Sequence, residues 1–146
     1  MGLTEWNRRN LWINDYEGLA DDMLFFAEDI LGGQFCIHAS KIFTFDPETG
    51  DIEFVAGTLD EWAAKMLISY NELTAYPLAR AWQEAHGKLD NRFRLCPKTP
   101  FACGGSFDME NLFAIEAVSG MRSRANLALQ IAGLEDGQEV EFTIIE

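Results

Sequence analysis

Basic residues are scarce in this 146-residue chain: 11 Lys and Arg stand against 24 Asp and Glu, for a net charge of −13. The shortage excludes the basic footprint that a nucleic-acid binder needs, and anionic membranes should be repelled as well. Long apolar runs are also missing; none approaches the ~20 residues of a membrane span. Cysteines are few and odd in number, Cys36, Cys96 and Cys103. With no signal-peptide pattern at the N-terminus, the expectation is a reducing cytoplasm rather than a disulfide framework. Repeats, low-complexity tracts and long linkers are not seen.

Catalytic signatures are missing in the same way. Gly32-Gly33 and Gly104-Gly105 are isolated pairs without the Lys-Ser/Thr or GxGxxG context of a phosphate loop, and read as turns. Cys96 and Cys103 do not form a CxxC pair, and His38 and His86 lie far apart in sequence, so no metal site is assigned. Cys36 and His38 share one face of a strand, yet no Arg or Lys stands nearby to activate the thiol. A GxSxG elbow is not found, and the Asp21-Asp22 doublet reads as a solvated turn. Catalytic residue, metal and cofactor are therefore all assigned as none.

What is present is a core. Apolar residues make up 48% of the chain and aromatics 12%, too many for disorder and enough for one domain over residues 1–146. The acidity is uneven. Residues 1–61 hold 13 acids and three bases (Arg8, Arg9, Lys41), net −10, whereas residues 62–146 hold 11 acids and eight bases, net −3. A solvated surface explains this, and so does a docking face for a basic partner.

Met23–Ala27 and Gln34–Ala39 read as strands separated by the Gly32-Gly33 turn. Lys41–Phe45 and Ile52–Val55 form a hairpin: Pro47 presets φ, Asp46 can bond nearby N–H groups, and Gly50 can adopt φ > 0. Thr58 and Glu61 have capping-box spacing. The helix they open carries an apolar stripe of Leu59, Trp62, Ala63, Met66 and Tyr70, with a Glu61–Lys65 i,i+4 pair on its other face. A second helix starts near Pro77, buries Leu78, Ala79 and Trp82, and stops at Gly87. Short strands are predicted around Phe93–Leu95 and Phe101–Cys103, and another at Leu112–Ile115. A helix spans Val118–Ala132, with Val118, Met121, Ala125, Ala128 and Ala132 inward. Val140, Phe142 and Ile144 alternate as a half-buried final strand. The fold class is α+β, a mostly antiparallel sheet with helices packed on one side.

The runs FFAEDILGGQF (residues 25–35) and IFTFDPETGDIEFVAGTLDEWAAKM (residues 42–66) resemble the SUKH superfamily. The likeness lies in Asp29 to Phe35, Ile42 to Gly50 and Leu59 to Trp62, with softer matches in LTAYPLARAW, RLCPKTPFACGG and NLFAIEAVSGMRSRANLALQI. That superfamily includes the fungal cell-wall glucan-synthesis regulator and bacterial immunity proteins. The resemblance implies an α+β domain that works by binding and brings no catalytic residues. One departure is the Leu-Pro-x-x-[YF] element of the usual first helix, missing before Met23, so that residues 1–22 are atypical. Trp6, Trp12 and Tyr16 are expected to cover the vacated face, or else that face drives dimerisation.

The leading expectation is a non-enzymatic, cytoplasmic immunity protein that neutralises a basic toxin domain, for example a nuclease, through an acidic surface. Asp46, Glu48, Asp51 and Glu53, concentrated on one hairpin, are the candidate partner-binding residues. A scaffold or regulatory module of cell-wall synthesis or signalling is the alternative, and a small enzyme with an unrecognised site the second. The expected partner is a protein, with no direct contact to nucleic acid or membrane, and the chain itself is a monomer or homodimer.

Overall fold

Local chemistry decides the first sheet. In the computed structural model, which describes residues 1–134 and 139–145, the Asp46–Gly50 turn closes as its residues require. The Asp46 backbone carbonyl accepts the Gly50 N–H at 2.7 Å, and Gly50 takes φ 75°. The turn joins β3 (Lys41–Phe45) to β4 (Ile52–Ala56). Together with β1 (Leu24–Glu28) and β2 (Gln34–His38) they form an antiparallel sheet in the order β1-β2-β3-β4. A second antiparallel pair, β5 (Phe93–Pro97) and β6 (Leu112–Glu116), stands apart. Arg94 on β5 pairs with Glu28 on β1, and the Leu95 N–H donates to the Ile30 carbonyl, tying the two sheets together.

The helices are α1 (Leu3–Trp6), α2 (Leu59–Thr74), α3 (Tyr76–His86) and α4 (Ala117–Ala132). The fold is α+β, but the helices are divided between both faces of the sheet rather than gathered on one. Successive strand residues point to opposite sides. Phe25, Cys36 and Phe45 meet Met121, Ala125 and Ala128 of α4, together with Trp12, Ile13 and Tyr16. Phe26, Ile37, Ile42 and Val55 face the other way and pack with Trp62 of α2. Both strand sides are aromatic or β-branched, so both need cover.

The N-terminal segment supplies that cover on the first face. Trp12 and Tyr16 are fully buried, Trp12 lying edge-on to Phe25 at 4.8 Å and Tyr16 to Phe45 at 5.1 Å. The Tyr16 hydroxyl donates to the Pro47 carbonyl at 2.7 Å, and burial pushes its pKa up. Arg122 of α4 binds Asp15 at 2.7 Å.

Several predicted details differ. Phe101–Cys103 forms a 3-10 turn, not a strand, because Pro100 leads into it and Gly104 leaves it at φ 88°. The α2 stripe is only partly used: Trp62 and Met66 are half-buried, while Leu59, Ala63 and Tyr70 are exposed. The helix bends at Ser69 (φ −118°, ψ 31°). The Glu61–Lys65 pair is not formed. Glu61 instead accepts the Gly57 N–H, its own N–H donates to Thr58 Oγ1, and Lys65 donates to the Val55 carbonyl. On α4, Met121, Ala125 and Ala128 are buried as expected, whereas Val118 is half-buried and Ala132 is exposed. Residues 139–145 do not form a strand. Their neighbour is α4, whose interior backbone groups are already paired, so side chains serve instead. Gln130 brackets Glu141 N–H and C=O, and Ser123 Oγ accepts the Ile145 N–H at 2.7 Å. Among the described residues, no helix is long and apolar enough to cross a membrane.

Candidate functional site: an acidic cleft beside the hairpin

A cleft of about 540 Å³ opens on the second face of the sheet. Trp62 holds the first half of α2 against Phe26 and Phe35. Beyond the Ser69 bend, Leu73 borders the cleft rather than filling it. Phe35, Thr44 and Glu53 contribute from the sheet, the Asp46–Thr49 turn forms one end, and Phe101 and Phe107 stand opposite. The rings of Phe101 and Phe107 lie tilted with their centroids 5.1 Å apart, and Phe107 is exposed.

Four carboxylates line this cleft: Asp29, Asp46, Glu48 and Glu53. Their roles differ. Glu48 is only 4% exposed, and its two oxygens accept the N–H groups of Phe101 (3.1 Å) and Ala102 (2.8 Å). It caps the 3-10 turn, which removes it from the partner-facing set: its oxygens are occupied by backbone. Burial is the main force pushing its pKa up, with the two N–H bonds opposing. Asp46 spends one oxygen on the Glu48 N–H at 2.9 Å and is otherwise exposed. Glu53 is exposed, and among the described residues its carboxylate accepts no hydrogen bond. Asp51 is exposed at the hairpin but does not line the cleft. Of the four predicted acids, three thus converge on one concavity, and two of those three can still reach a partner.

Two residues not singled out in the sequence complete the site. Asp29 accepts the N–H groups of Leu31 (2.8 Å) and Gly33 (2.9 Å). Desolvation pushes its pKa up to about 7, against the pull of those two bonds and of the Arg124 charge. Arg124 is buried; it donates Nε to the Gly120 carbonyl (3.0 Å) and Nη1 to that of Leu31 (2.5 Å), while Nη2 has no partner among the described residues. The Gly32-Gly33 turn lies between these two groups. A Cβ on Gly32, whose φ is 82°, would stand 2.3 Å from Arg124 Nη2, and one on Gly33 would stand 2.6 Å from Asp29 Oδ2. A side chain at either glycine would therefore have to displace the Arg124 guanidinium or the Asp29 carboxylate from the backbone groups that hold it. A signal for Arg124 was present: it stands three residues after Met121 and next to Ala125, inside the apolar stripe of α4.

Among the described residues the only cation lining the cleft is Arg124, buried among carbonyls, so these residues present negative charge and aromatic surface. That suits a guanidinium or ammonium group on an apolar stem. Among the described residues, no group of three or more His, Cys, Asp or Glu is placed to hold a metal ion. Cys36 is buried with its thiol pushed up to about 11 by desolvation, the opposite of an activated nucleophile.

No protein-family model, no curated protein and no solved structure matches the chain. The resemblance to the SUKH superfamily rests on the residues quoted above.

Proposed function

We propose that this chain is a non-enzymatic binding domain of the immunity type, which neutralises a basic protein, a toxin domain such as a nuclease, by docking it on the acidic cleft and hairpin. The observation that carries the reading is the convergence of Asp46 and Glu53 on one concavity with an exposed aromatic wall. A nuclease must hold a phosphate backbone with Lys and Arg. A carboxylate-bearing cleft competes for those residues, and a net charge of −13 accelerates the encounter. The SUKH resemblance supports the same class of action. It also suggests a cytoplasmic setting, where a cell would need protection from such a toxin.

The test is capture from lysate with the tagged full chain, run beside an Asp51→Lys/Glu53→Lys variant. Both carboxylates are exposed, so the variant should fold. The expected result is one basic partner, retained by the wild-type chain at low salt, released at high salt and lost by the variant. A partner retained equally by both proteins at both salts would contradict an electrostatic interface at this site.

A further inference from the structure

We propose that the outer edge of β4 receives an extended basic segment of the partner, which adds to the sheet as an antiparallel fifth strand. The inference rests on the basic partner proposed above and specifies how it is held.

The two edges of the sheet are treated differently. At β1 the edge is closed: the Asn7 carboxamide accepts the Phe25 N–H at 2.9 Å and donates to the Phe25 carbonyl at 2.8 Å, as a neighbouring strand would. At β4, among the described residues, only the far end is covered, where Lys65 donates to the Val55 carbonyl. Ile52 and Phe54 remain exposed at 37% and 55%. The ladder sets where their backbone groups point. Asp46 donates its N–H to the Asp51 carbonyl at 2.9 Å, and the register pairs Phe45 with Ile52, Thr44 with Glu53 and Phe43 with Phe54. Hydrogen-bonded and non-bonded pairs alternate along an antiparallel ladder. Asp51 and Glu53 therefore bond toward β3, and the N–H and C=O groups of Ile52 and Phe54 point out of the sheet. An open edge bearing apolar side chains is a template for strand addition.

The side chains then define the occupant. Ile52 and Phe54 share one face, and Glu53 points to the other, into the cleft. An added antiparallel strand meets apolar surface with the residues opposite Ile52 and Phe54, and a carboxylate with the one opposite Glu53. The fitting segment alternates apolar and basic residues. A second copy of this chain fits poorly, because edge-to-edge pairing would bring Asp51 and Glu53 against the same acids of its partner.

The probe is a labelled seven-residue peptide of alternating lysine and valine, titrated into the full chain at low salt. In the proposed register the valines lie opposite Ile52 and Phe54 and turn their amides toward β4, while the lysine amides point away. N-methylation of the valine amides should weaken binding by about tenfold or more. N-methylation of the lysine amides should leave it nearly unchanged, and Glu53→Lys should weaken it. Equal binding of the two methylated forms, or the reverse order, overturns strand addition while leaving a basic partner at the cleft intact. Failure of the unmodified peptide to bind also overturns the docking edge; the lysate capture then decides separately whether a basic partner exists.

Discussion

Trp12 is the sharpest place to test whether the N-terminal segment is part of the fold. Its indole is fully buried against Trp6, Tyr16, Phe25 and Phe45, with ring centroids 4.8 to 6.4 Å away. Truncating a buried Trp to Ala costs about 3–5 kcal/mol, a large share of the ~5–15 kcal/mol that holds a domain of this kind together. Full burial among four rings puts Trp12→Ala toward the upper end. Trp12→Phe should behave differently. Among the described residues the buried indole Nε1 has no partner, a defect worth about 1–3 kcal/mol. Phenylalanine removes that donor while keeping most of the aromatic packing, so the smaller cavity and the relieved donor should nearly offset, leaving it within about 1 kcal/mol of wild type. Urea unfolding followed by circular dichroism measures both, provided the m-value is unchanged. The reasoning is refuted if Trp12→Ala costs less than about 1 kcal/mol, or if the two substitutions cost the same.

Asp29 makes stability pH-dependent. Its pKa of about 7 lies above the ~3.9 of an unfolded Asp, so the folded state holds the proton more tightly. The corresponding stability is full below about pH 4 and is lost as pH rises through 7. The ceiling is ~4 kcal/mol, reduced because the carboxylate is half-buried and partly solvated. Asp29→Asn cannot ionise, so its stability relative to wild type should rise from pH 4 to pH 8; a constant difference would sink the assignment. Glu48→Gln should destabilise by about 1–3 kcal/mol by weakening the cap on Phe101 and Ala102. Glu53→Gln should stay within about 0.5 kcal/mol, and equal losses in chemical denaturation would contradict the division of roles. A thiol reagent should modify exposed Cys103 in the native protein while buried Cys36 and Cys96 wait for unfolding. Three equally fast thiols would contradict the core.

The hairpin was legible because its determinants are local: Pro47, Gly50 and Asp46 fix the turn whatever the rest of the chain does. Thr58 was legible as a cap for the same reason. The role of Glu48 was not. Its acidity marked it as surface, while the N–H groups that bury it come from a turn 53 and 54 residues away. Asp29 and Arg124 are likewise joined only through the tertiary fold. The alternation of Val140, Phe142 and Ile144 was real, but a period of two says nothing about which neighbour lies alongside, and here it is a helix. The α2 stripe shows the matching limit. Helical periodicity marks a face that can be covered, yet Leu59 and Tyr70 on that face remain exposed, at 50% and 49%.

The proposed interface is the acidic cleft together with the exposed hairpin carboxylates beside it, Glu53 and Asp51 included. The most direct measurement is the association rate constant of the chain with its captured partner, taken by stopped flow from low to high ionic strength for the wild-type protein and the Asp51→Lys/Glu53→Lys variant. A rate that falls steeply with salt for wild type, and starts low and stays flat for the variant, is the expected result. Rates that coincide for the two proteins at every ionic strength would contradict it.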